Sequence, residues 1–123
     1  MVRTLLPTDS KYKPQILVTG TTDQQGEGLL SIDSQGNENY SLSLPVLETN
    51  HVDDMAINHD TRLAAVAMRG GLVHVINLDD GKLIATTAPG GLRCSVAWLS
   101  SDEQSPQFVV ATGNSLIAYE LER

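Results

Sequence analysis

Five potential metal ligands crowd one short stretch of this 123-residue chain: His51, Asp53, Asp54, His59 and Asp60. Two imidazoles and three carboxylates suit zinc or a harder divalent ion, provided they converge on one point. Their spacing argues against convergence. In an extended segment Asp53 and Asp54 point to opposite faces, and His51 and His59 stand roughly 25 Å apart at about 3.3 Å per residue. No metal site is expected, and His59-Asp60 reads as an ordinary turn. Gly26-Glu27-Gly28 followed by Ser31 has the first half of a dinucleotide fingerprint. That mechanism needs a helix after the glycines to hold the pyrophosphate. A strand pattern follows instead, so no cofactor is expected.

The remaining reactive groups are scattered. No serine sits in a Gly-x-Ser-x-Gly elbow. His74 lies between Val73 and Val75 on the opposite face, which reads as a surface or half-buried strand residue. Cys94 follows Arg93, whose charge favours a thiolate, but it reads as a buried strand cysteine. A single cysteine excludes an internal disulfide and, alone, a cysteine zinc site. Asn39-Tyr40-Ser41 matches a glycosylation sequon and, with no secretory leader in Met1–Pro7, reads as accidental. No catalytic residue is assigned, and the chain is not expected to be an enzyme.

Composition narrows the partners. Eight basic against fifteen acidic residues give a net charge of −7, with an isoelectric point near 4.7. Binding to nucleic acid or anionic membrane depends on clustered Lys and Arg, so neither is expected. No apolar run approaches the roughly 18 residues of a membrane span. Forty-one per cent of the residues are apolar and 4 per cent aromatic, so a core is built mainly from Leu, Val, Ile and Ala. A protein of the cytoplasm is the expectation.

The elements that position these residues are strands. Short β-branched runs closed by Gly, Asn, Asp or Pro recur along the chain, with no helical stripe capped at both ends. The runs are Val2–Leu6, Gln15–Thr19, Gly28–Asp33, Asn39–Leu44, Val52–Asn58, Arg62–Met68, Leu72–Leu78, Lys82–Thr87, Leu92–Trp98, Phe108–Thr112 and Ser115–Leu121. Asp79-Asp80-Gly81 and Arg69-Gly70-Gly71 carry the chemistry of tight hairpins. Leu63, Val66, Val73, Val75, Ile57, Val109 and Ile117 are the candidate buried positions. Landmarks repeat: Ile32-Asp33-Ser34-Gln35-Gly36 precedes Leu78-Asp79-Asp80-Gly81 by 45 residues at the glycines. Units of about 40–45 residues with four strands each mark propeller blades. The fold class is all-β: consecutive four-stranded antiparallel meanders forming a partial β-propeller, in approximate units 1–49, 50–90 and 91–123.

The stretch from His51-Val52-Asp53-Asp54-Met55 to Arg62-Leu63-Ala64-Ala65-Val66-Ala67 resembles the first half of a WD repeat, in which a His opens the blade. Val73-His74-Val75-Ile76-Asn77-Leu78 takes the place of that family's terminal strand. Ile76 and Asn77 stand where the family has Trp and Asp, and Gly70 stands where it has a turn Asp. The family's buried His–Ser/Thr–Asp–Trp network therefore cannot form, and His51 is expected to be solvated or bonded to backbone. The resemblance implies a non-catalytic protein-interaction or scaffold module. Alternatives are a fragment of a propeller hydrolase or dehydrogenase, and a small oligomeric sugar-binding propeller. It also implies that Arg69 and Arg93 share a channel-side face, where they anchor an acidic peptide; otherwise they are two solvated arginines. Eleven strands make about two and three-quarter blades, against the four to eight that close a ring. The expected assembly is a homo-oligomer or a propeller completed by another chain.

Overall fold

The alternating apolar runs and their Gly, Asn and Asp turns fold into strands joined by hairpins. The computed structural model describes residues 1–7, 9–21, 27–45, 51–100 and 102–122. Among them are eleven strands and no helix. Strands β1 (Val2–Leu5), β2 (Gln15–Thr21), β3 (Glu27–Ile32) and β4 (Glu38–Leu44) form the first antiparallel sheet in chain order. The second contains β5 (Val52–Asn58), β6 (Leu63–Met68), β7 (Leu72–Asn77) and β8 (Lys82–Thr87). The third has β9 (Cys94–Ser100), β10 (Gln107–Thr112) and β11 (Ser115–Glu120). The first strand of each sheet approaches the first strand of the next, β1 to β5 and β5 to β9. The sheets therefore stack side by side around a common inner edge.

Strand β6 explains the packing. All six of its residues, Leu63 to Met68, are fully buried. Successive side chains in a strand point to opposite faces, so a wholly buried strand must be covered on both sides. Ala64, Val66 and Met68 face Leu5, Leu17, Leu29 and Leu44 of the first sheet. Leu63, Ala65 and Ala67 face Cys94, Val96, Phe108 and Val110 of the third. Trp98 meets Phe108 edge-on and Tyr119 stacks on it, with ring centroids 5.4 and 5.3 Å apart. Full burial of an aliphatic or Phe side chain is worth about 1.5–3 kcal/mol.

Strand existence follows the sequence pattern, and the boundaries shift for local reasons. Arg62 has a left-handed φ of 56°, which places it in the turn and starts β6 at Leu63. Gly90 and Gly91, with φ of 83° and 87°, hold Leu92 and Arg93 outside the ladder, so β9 starts at Cys94. Leu63, Val66, Val73 and Val75 are fully buried, whereas Ile57, Val109 and Ile117 are half-buried. Val109 points away from the second sheet, and Ile117 lies on the outermost strand of a three-stranded sheet. A bulge between Val52 and Asp54 breaks the alternation behind the opposite-face expectation for Asp53 and Asp54.

Because β6 is buried against a sheet on each side, substitutions in both directions should destabilise. Leu17→Ala should cost about 2–5 kcal/mol by leaving a cavity. Ala65→Leu should cost about 1–3 kcal/mol by overpacking. Urea denaturation curves read both, and an unchanged midpoint for Ala65→Leu would show that the second and third sheets do not meet there.

Candidate functional site

One rim of the stack is built from the β6–β7 turn and the β8–β9 segment. The Gly70 N–H donates to the Leu92 carbonyl at 3.1 Å, and the Gly90 N–H to the Gly71 carbonyl at 3.4 Å. Gly71 has a φ of 105°, and a Cβ there would stand 2.8 Å from the Gly90 backbone. Only glycine lets the two segments approach so closely. This contact brings the stretches carrying Arg69 and Arg93 together on one rim. Their side chains differ. Arg69 Nε lies 3.1 Å from Asp53 Oδ1 in a half-buried ion pair, while Arg93 is exposed. Leu92 beside it is 70% exposed.

The other sequence candidates lie at several places in the fold. His51 is exposed, and its carbonyl accepts from the Arg69 N–H at 2.8 Å. Cys94 is buried; burial first, then the Asp53 charge, pushes its thiol up, away from the thiolate. Asp54 accepts from the Val96 N–H at 2.9 Å and so ties β5 to β9. His59 Nδ1 accepts from the Leu6 N–H at 3.3 Å, far along the strand from His51. Among the described residues, no three His, Cys, Asp or Glu side chains converge. Of the dinucleotide pattern, Gly26 lies outside the described residues, and Glu27–Ile32 is strand.

His74 corrects the sequence reading. It is fully buried, not at or near the surface. Its Nε2 lies 2.6 Å from the Pro45 carbonyl, and its Nδ1 lies 2.9 Å from Thr86 Oγ1. The carbonyl can only accept, so Nε2 carries the proton and Nδ1 accepts from the Thr86 hydroxyl. The imidazole thereby joins the second sheet to the end of the first. Alternation hid this role, because β7 is covered on both faces.

The opposite rim carries a polar seam that no sequence motif marked. Gln15 Nε2 donates to the Leu78 carbonyl at 2.8 Å, and the Tyr40 hydroxyl donates to the same carbonyl at 2.9 Å. Ser31 Oγ donates to Gln15 Oε1 at 2.8 Å. The Tyr40 ring packs closely against Gly81, where a Cβ would stand 2.4 Å from it. Burial, with the Asp79 and Asp80 charges nearby, pushes the Tyr40 phenol up to about 12, which keeps it a donor. Arg62 Nε is 3.0 Å from Asp79, and its guanidinium sits 3.6 Å above the Tyr12 ring. These groups border an open groove of about 760 Å³ lined by Lys13, Asp33, Glu38 and Asp80 among others.

Several solved structures share this architecture. The WD40 repeats of RRP9 align over 99% of this chain with 16% identity and a TM-score of 0.60. U3-55K aligns over 99% with 15% identity and a TM-score of 0.60. The β-propeller domain of Cps50 (Swd1) from Myceliophteria thermophila aligns over 87% with 13% identity and a TM-score of 0.58. This chain spans 42%, 42% and 35% of those chains, respectively. No protein-family model and no curated protein matches the sequence. The likeness shows the fold: a partial WD40-type β-propeller in which each sheet is a blade.

Burial of His74 lowers its proton affinity, an effect opposed by its bond to the Pro45 carbonyl. The unfolded chain therefore binds this proton more readily than the folded one. Its contribution to stability is intact above the ordinary histidine value of about 6.5 and declines as pH falls below it. The denaturation midpoint should drop between about pH 7.5 and pH 5.5. His74→Gln, which cannot titrate, should flatten that slope; an unchanged slope would remove His74 as its source.

Proposed function

We propose that this chain is a non-catalytic protein-interaction module that presents the Arg93 rim to a carboxylate-bearing peptide. The observation that carries the reading is the fixed pairing of the β6–β7 turn with the β8–β9 segment. It holds Arg93 exposed beside the exposed Leu92. A cation next to an apolar side chain suits a peptide with an acidic residue beside an apolar one, through a charge-assisted hydrogen bond and a small desolvated contact. Arg69, clamped to Asp53, has a positioning part: it braces the turn that supports Leu92. Stacked blades suit this task because their loops are held in place by sheets whose cores do not rearrange. The fold supports a protein partner over nucleic acid, in keeping with the net charge of −7.

The outward faces of the first and third blades belong to the same reading. They carry exposed apolar side chains, Val2 at 57% on one and Leu116 at 78% on the other. Further blades from another copy, from a partner chain or from the same polypeptide would cover them.

Anisotropy titrations with labelled peptides of graded Asp and Glu content test the rim. A peptide with one acidic residue beside an apolar one should bind more tightly than its neutral counterpart, and further acidic residues should add nothing against the net charge of −7. Arg93→Glu should weaken it roughly fivefold, about 1 kcal/mol for an exposed charge contact. Equal binding by wild type and Arg93→Glu would overturn the assignment.

A further inference from the structure

The rim opposite Arg93 has a second recess, over the seam between the second and third blades. It is bounded by the β5–β6 turn and the β9–β10 connector. Asn58 Nδ2 donates to the Ser100 carbonyl at 3.2 Å and holds the two segments together. Within the connector, Asp102 Oδ1 accepts from the Gln104 N–H at 2.9 Å, which folds the stretch carrying Glu103. Two adjoining clefts of about 350 and 390 Å³ result, and both have Arg62 and Glu103 in their walls.

Thr61 lines the smaller cleft and is only 3% exposed. Its N–H donates to Asn58 Oδ1 at 3.2 Å, but its hydroxyl oxygen is buried with no hydrogen-bond partner among the described residues. A buried hydroxyl in that state is unfavourable, and a donor seated in the cleft would relieve it. Charge in the recess is negative once the internal pairs are set aside. Arg62 is taken by Asp79 at 3.0 Å and Lys11 by Asp9 at 3.8 Å. Asp60 and Glu103 border the larger cleft and are exposed. Among the described residues, neither carboxylate has an ion pair or a hydrogen bond. No three His, Cys, Asp or Glu side chains converge among those residues, so the acceptors are spread out and do not form a metal cage.

We propose that this recess seats an arginine side chain of a partner protein. Glu103 and Asp60 face its charge, and the Thr61 hydroxyl accepts one of its N–H groups. A guanidinium carries five donors in a rigid plane and can reach acceptors spread across two clefts. A lysine ammonium is a compact point charge and cannot serve them together. The site lies on the other rim from Arg93 and is independent of it.

Heteronuclear NMR on the labelled 123-residue chain tests the proposal. The probe is Nα-acetyl-arginine methylamide, with its citrulline and lysine analogues beside it. The arginine probe should shift the amides of residues 60–62 and 103–104 in a saturable way. The citrulline analogue, neutral and of similar shape, should leave them in place, and the lysine analogue should bind more weakly. Glu103→Gln should weaken the arginine probe about fivefold, as for an exposed charge contact. Thr61→Val keeps the shape of the side chain and removes the hydroxyl. It should weaken the probe by a similar factor without lowering the urea midpoint, because the hydroxyl has no bond within the chain to lose. Should that variant not fold, Asp60→Asn joined to Glu103→Gln, both at exposed positions, should abolish the shifts. Three results would overturn the proposal: no shifts with the arginine probe, equal affinity for either analogue, or a Thr61→Val protein that binds as wild type does. Arg93→Glu should leave every shift unchanged, so failure of acidic-peptide binding has no bearing on this site.

Discussion

The burial of β6 on both faces is the constraint from which the rest of the structure follows. A strand without a wet side needs a sheet on each flank, and the second blade has one on each. The requirement reaches the sequence as composition: Leu63 to Met68 contains no polar residue and three alanines. Small side chains let neighbouring sheets approach, and the large groups come from the flanking blades, leucines on one side and aromatics on the other. A polar substitution in β6 would have no partner on either flank, since both neighbours offer hydrocarbon there.

Apolar seams drive association but do not by themselves fix how far one sheet slides along another, because hydrophobic attraction is non-directional. Directional bonds at the ends of each seam supply that information. Between the first and second blades, the Leu78 carbonyl is held by Gln15 and Tyr40, and the Pro45 carbonyl by His74. Between the second and third, Asp54 holds the Val96 N–H, and Trp98 donates to the Ala56 carbonyl at 2.9 Å. Most of these bonds pair a side chain with a backbone group, so each locks a sheet to a chain position. The bonds are part-buried, and deleting one partner should cost up to about 1–3 kcal/mol by leaving the other unpaired.

Rigidity of this kind determines what the rims can do. Residues 69–71 and 90–93 are connectors, yet their glycines pack backbone against backbone, and the Leu92 carbonyl is bonded to the Gly70 N–H. A preorganised pair loses less conformational entropy on binding than the same side chains on a free loop. The opposite rim is more heavily paired: Arg62 is committed to Asp79 and Tyr12, and Tyr40 to Leu78. The acidic surface as a whole favours partners that carry their own apolar anchor over those attracted by charge alone.

The eleven strands, their order and the tight turns were legible in the amino-acid sequence, because β-branched runs and Gly, Asn and Asp turns act through local sterics and hydrogen bonding. His51 is exposed, the solvated one of the two alternatives that the sequence left open. Burial in β7 was not: Val73, His74 and Val75 look like one dry and one wet face until a blade covers each side. The seam of Gln15, Ser31, Tyr40 and Leu78 spans 63 residues and uses ordinary polar side chains with no characteristic spacing. Nor did spacing reveal that Arg69 would be clamped by Asp53 while Arg93 stayed exposed. Local physics made the strands, and the meeting of sheets distant in sequence decided which of their faces are dry and which side chains remain available to a partner.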